Sequence, residues 1–175
     1  MRAVTSAHEQ QLYALARICR RLGGRLDVLS SRNFDAALDN DDVTMPFTAG
    51  SRYEYGVHWE RKIIYVMQGT THIGFIIHEA GHVFADPHPP DDKKCDEWEW
   101  FGWEIAVARR IGAWDAWSRQ NSNYHLGAGI DGGIGKDKDW SGLSAKARSV
   151  IIDDRLAHAK KIGVIGKRGA PRSVR

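Results

Sequence analysis

Residues 73 to 84 read Ile-Gly-Phe-Ile-Ile-His-Glu-Ala-Gly-His-Val-Phe, and this segment constrains the fold more than any other. Ile73, Ile76, Ile77, Ala80, Val83 and Phe84 make a helix apolar around much of its girth. The hydroxyls of Thr70 and Thr71 offer an N-cap, and Asp86-Pro87 stops the helix. Such a helix belongs in the core. Two histidines and a glutamate are costly to bury there unless something ligates or pairs them.

The spacing says what that something is. Positions four apart on an α-helix share a face, so His78 and His82 can aim both imidazoles at one ion, as tetrahedral zinc requires. Glu79 flanks them, where a carboxylate can take a proton from a water made acidic by the metal and return it to a leaving amine. One helical turn therefore supplies two expected ligands and an expected general base.

A third ligand has to come from elsewhere. Residues Cys95 to Ala116 have helical periodicity and carry Trp98, Trp100, Trp103 and Trp114, following a polar, proline-containing linker from His88 to Lys94. On that helix Trp100, Phe101, Val107, Ala108 and Ile111 define an apolar face. Glu104 falls in its middle, Glu97 sits on the same face two turns earlier, and Glu99 points away. Glu104 is the first choice for the third ligand, and Glu97 the second. His88 is a rival, because it gives the His-Glu-x-x-His-x-x-x-x-x-His spacing of three-histidine zinc peptidases. That class has a glycine where this chain has Ala85 and a methionine turn downstream, whereas Met1, Met45 and Met67 all precede the motif.

The rest of the chain supplies a frame. Its 175 residues, 42% hydrophobic, suffice for one sizeable core, which predicts a single domain over residues 1 to 163 and a basic tail from 164 to 175. A first helix is expected over residues 7 to 22, ending at Gly23-Gly24, then a short strand from Arg25 to Leu29. Asn33 to Thr48 lacks a clear period and reads mostly as loop. Tyr53 to Trp59 and Lys62 to Met67 read as a hairpin leading into the metal helix. Residues 127 to 142 read as a glycine-rich loop. A last helix begins at a Ser141 or Ser144 cap and runs to Gly163. The expected fold class is α+β: a small antiparallel sheet packed on the zinc helix, with three or more additional helices.

The order of parts, a hairpin, a His-Glu-x-x-His helix and a glutamate on the next helix, resembles the gluzincin metallopeptidases. In size the chain is most similar to the ImmA/IrrE-like group of bacterial and phage proteins. The resemblance covers roughly residues 53 to 112 and is carried by His78-Glu79-Ala80-Gly81-His82 and by Glu97-Trp98-Glu99-Trp100-Phe101-Gly102-Trp103-Glu104. It implies a zincin-like fold, zinc on His78, His82 and a downstream glutamate, Glu79 as catalytic base, and hydrolysis of a peptide bond in one specific protein substrate. An alternative from another class is a non-catalytic bacterial or phage interaction protein that keeps zinc as a staple, in which Glu79 would be dispensable.

The remaining features weigh less. Tyr124, His125, His72 and His58 are candidate donors to an oxyanion. Arg109 and Arg110 read as a solvated helix face. Gly127-Ala128-Gly129-Ile130-Asp131-Gly132 spells a dinucleotide-binding pattern but follows no strand and opens no helix, so no such cofactor is expected. No stretch has the roughly 20 apolar residues of a membrane span, and no signal-peptide core is present, which with only Cys19 and Cys95 suggests a cytoplasmic, reducing setting. The net charge is +3, but no acidic residue follows Asp154 while Arg155, Lys160, Lys161, Lys167, Arg168, Arg172 and Arg175 accumulate. A solvated helix face and frayed tail is the plainer reading, and contact with nucleic acid the second.

Overall fold

The most apolar short run, Ile63–Met67, forms strand β3 at the centre of a three-stranded sheet of order β1-β3-β2. A central strand is buried on both faces, and here side-chain alternation sends neighbouring residues into different clusters. Ile64 and Val66 enter the main core, while Ile63 and Tyr65 meet Phe34 in a smaller one. The computed structural model behind this description covers residues 6–40, 54–86, 100–121 and 142–173.

Strand β2 (Tyr55–His58) pairs antiparallel with β3, in the register Tyr55 to Val66, as the hairpin reading expects. Strand β1 (Arg25–Leu29) pairs parallel with β3, Leu26 opposite Ile64. The sheet is therefore mixed, a correction to the antiparallel expectation. A parallel neighbour needs a crossover, and the chain supplies it through the residues between β1 and β2. Part of that crossover is helix α2 (Ser31–Asn40), where a loop was expected. Its apolar positions are few but well spaced: Phe34 is buried, and Ala37 and Leu38 pack against the same cluster. Residues 41 to 48 of the expected loop lie outside the described residues.

On the other face lie helix α1 (Ala7–Arg21) and helix α3 (Ile73–Phe84). A reciprocal capping box starts α1: Ser6 Oγ accepts from Glu9 N at 3.2 Å, and Ser6 N donates to Glu9 Oε2 at 2.8 Å. The start of α3 departs from expectation. Its N-cap is His72, with no side-chain cap, and Thr70 instead donates its hydroxyl to Glu54 Oε2 at 2.6 Å. The helix N-terminus is satisfied from afar, since Gly74 N donates to Gln120 Oε1 at 2.6 Å.

Gln120 belongs to a helix of which the periodic segment Cys95 to Ala116 takes in only the start. The tryptophan-rich segment is two helices, α4 (Phe101–Arg110) and α5 (Trp114–Asn121). The break falls at Gly112, whose φ of 71° is a left-handed conformation that ends α4 at little cost. Residues 95 to 99 lie outside the described residues. Helix α6 (Ala145–Lys161) starts at the expected Ser144 cap, whose hydroxyl accepts from Ala147 N at 3.2 Å. It packs on α4 so closely that a Cβ at Gly102 would collide with the Arg155 carbonyl oxygen and the Ala159 methyl.

After α6 the chain does not fray. Val164 and Ile165 are buried, Ile165 and Pro171 form a β-bridge, and Trp103 Nε1 donates to the Arg172 carbonyl at 3.1 Å. Residues 164 to 173, within the stretch read as a basic tail, thus pack against the folded body. Among the described residues, no helix is long and apolar enough to cross a membrane.

Candidate metal centre

Helix α3 brings its two histidines together as the spacing demands. The Nε2 atoms of His78 and His82 face each other at 3.1 Å, and the rings meet edge-on with centroids 4.6 Å apart. Each ring's other nitrogen meets a carboxylate. His78 Nδ1 lies 3.0 Å from Glu104 Oε1, and His82 Nδ1 lies 3.5 Å from Asp86 Oδ2. Both rings turn Nε2 toward each other and Nδ1 toward an acid, His78 at hydrogen-bond distance and His82 in a looser ion-pair contact.

This arrangement has a chemical consequence. A neutral imidazole that donates Nδ1–H to a carboxylate presents a bare lone pair at Nε2. Two such lone pairs 3.1 Å apart repel unless a proton or a cation lies between them. For zinc held tetrahedrally at about 2.0–2.1 Å from each nitrogen, the two nitrogens stand roughly 3.3–3.4 Å apart. The pair fits that span within a few tenths of an ångström. Histidine ligands of zinc commonly carry a carboxylate on the remote ring nitrogen, which fixes the tautomer.

Glu104 comes from the first turn of α4, and its side chain is completely buried. Its second oxygen, Oε2, accepts from Trp117 Nε1 on α5 at 2.8 Å. Both oxygens are therefore engaged, one by a ring nitrogen on α3 and one by an indole on α5. Gly81 makes room for this packing. A Cβ there would stand 2.9 Å from Trp100 Nε1 and 3.2 Å from Glu104 Oε1.

The second histidine sits among indoles, its ring centroid 5.8 Å from that of Trp59 and 4.9 Å from that of Trp100. Among the described residues, Trp100 Nε1 is a buried donor with no hydrogen-bond partner. Asp86 is held by the end of α3, where its backbone N–H donates to the Gly81 carbonyl at 3.0 Å.

Glu79, the expected base, is nearly buried. Tyr55 on β2 feels its charge: burial first, then the carboxylates of Glu79 and Glu54, push the Tyr55 phenol well above its usual range. It stays a protonated donor at any physiological pH. Among the other expected donors, His58 is buried and its Nδ1 accepts from Arg61 N at 3.4 Å, while His72 Nδ1 lies 3.3 Å from Glu54. Tyr124, His125, His88 and Glu97 lie outside the described residues.

The structure therefore brings His78, His82 and Glu104 into one cluster, with Glu104 on the far nitrogen of His78. Among the described residues, no three or more His, Cys, Asp or Glu side chains are placed so that together they could hold a metal ion. Asp86, Trp117, Trp59 and Tyr55 were not singled out from the sequence. For Asp86 a signal existed, since it stands four residues after His82 on the same helical face. Compared with protein-family models, curated proteins and solved structures, the chain matches none.

Proposed function

We propose that this chain is a zinc-dependent metallopeptidase of the His-Glu-x-x-His type, with His78 and His82 as metal ligands through Nε2. The observation that carries the reading is the doubly braced pair: two Nε2 atoms at 3.1 Å, each ring backed by a carboxylate on Nδ1. A single shared proton would make the pair an ordinary hydrogen bond, and the carboxylates behind both rings are what favour a cation between the two nitrogens instead.

Zinc held there would supply Lewis-acid polarisation of a peptide carbonyl and acidification of a water. The chain's own residues do the rest. Glu79 accepts the proton from the attacking water and delivers it to the departing amine. Glu104, with its oxygens on His78 and Trp117, orients the first imidazole, and Asp86 orients the second. The substrate is a protein or peptide.

The test uses the full chain and its Glu79→Gln variant, with zinc content and hydrolysis of a denatured-protein or peptide-library substrate measured side by side. Zinc retained and cleavage lost in Glu79→Gln is the expected pair of results. Zinc bound with no cleavage by the unsubstituted chain would favour the structural-zinc alternative.

A further inference from the structure

The surface where α6 ends and the chain turns back carries a second site, unrelated to the metal cluster. A cavity of about 610 Å³ opens there, with Lys160, Lys167, Arg168 and Arg172 in its lining and no acidic residue. A smaller one of about 190 Å³, which also has Ala170 in its lining, is lined in part by Arg21 and Arg110. Among the described residues, none of these six cations makes an ion pair.

The turn that carries the cations is fixed. Gly166 N donates to Ala170 O, Gly169 N to Gly166 O and Arg172 N to Val164 O, each at 2.8 Å. The Arg172 guanidinium lies over Gly166, where a Cβ would come within 3.2 Å of its Nε and Nη2. Holding like charges around one concavity costs free energy that a bound polyanion returns.

We infer that this face binds the phosphate backbone of duplex nucleic acid. The two cavities share Ala170 in their linings, so the cations extend beyond a single point, which suits a row of phosphates. Among the described residues neither cavity is lined by an aromatic side chain that could stack on the bases of a single strand, and exposed Lys and Arg on a concave surface suit phosphate contacts, which carry no sequence information. Binding is therefore sequence-independent and strongly salt-dependent. The inference does not depend on the metal.

The test is fluorescence anisotropy of a labelled duplex DNA with the full-length protein across a salt series. Neutralising four to six phosphates predicts a slope of log K against log salt between about −3.5 and −5.5, or roughly 10²- to 10³-fold weaker binding from 50 to 200 mM salt. The exposed triple variant Lys160→Gln/Lys167→Gln/Arg168→Gln is expected to flatten that slope by about 2 to 3 while unfolding at the same temperature. Lys146→Gln, about 21 Å away at the start of α6, is expected to leave the slope nearly unchanged. The inference is overturned if the duplex does not bind at 50 mM salt, or if the triple variant keeps the full slope. It is overturned equally if a single strand binds far more tightly than the duplex, or if inorganic tripolyphosphate or phosphatidylserine vesicles bind and the duplex does not.

Discussion

Trp117 donates its indole N–H to Glu104 Oε2 at 2.8 Å, and so fixes from α5 the carboxylate that fixes His78 on α3. Three helices thereby converge on one imidazole. Partners of this kind typically change metal affinity by about 10- to 100-fold when removed. Trp117→Phe keeps the ring but leaves one carboxylate oxygen without its donor, and is expected to weaken zinc binding by about that factor. Glu104→Gln is expected to do the same while keeping zinc stoichiometry at saturation. Chelator-competition titration measures both. Unchanged affinity in both variants would contradict the orienting role, and loss of stoichiometric zinc in Glu104→Gln would make Glu104 a direct ligand.

The contact between α4 and α6 leaves no space for a methyl group at Gly102. Overpacking of this sort costs about 1–3 kcal/mol, because either the helices separate or the backbone shifts. Gly102→Ala is expected to lower the unfolding free energy by that amount in a urea titration. A change below about 0.5 kcal/mol, the range of an ordinary surface substitution, would show that the two helices yield freely.

Burial pushes the Cys19 thiol up to about 12 from the ordinary 9.0. Below pH 9 the thiol is protonated whether the chain is folded or not, and it adds no pH dependence. Above that, the unfolded chain releases the proton while the folded one holds it until about pH 12, so unfolding gains and stability falls. The loss approaches about 1.4 kcal/mol per pH unit for one proton. Urea midpoints measured from pH 8 upward are expected to decline less steeply in Cys19→Ala. Identical slopes would contradict the burial. The raised Tyr55 phenol acts with the same sign.

Helix α3 could be read almost residue for residue, because apolar positions around a whole helix and a proline stop leave few other structures. The hairpin was legible for a similar reason: aromatic and β-branched runs flank a short polar turn. The parallel pairing of β1 was not, since pairing partners distant in sequence leave no local mark in a five-residue strand. Gly112 was visible, but a glycine inside an apolar period can sit in a helix or end it, and only packing of α5 against α3 decides. Within the cluster, the wheel placed Glu104 at the centre of an apolar face, and its side chain is completely buried. Which atom of the site it touches depends on the approach of α4 to α3, which a wheel for one helix does not contain. The folded end at Val164 and Ile165 was hidden beneath the charge of its neighbours.

The metal content of the purified protein, set beside His78→Ala and His82→Ala, tests the zinc centre most directly. About one zinc per chain is expected in the unsubstituted protein by mass spectrometry after dialysis, with zinc lost from both variants while each remains folded by circular dichroism. No zinc in the unsubstituted protein after growth and refolding with added metal, or undiminished zinc in His82→Ala, would contradict a metal centre on α3.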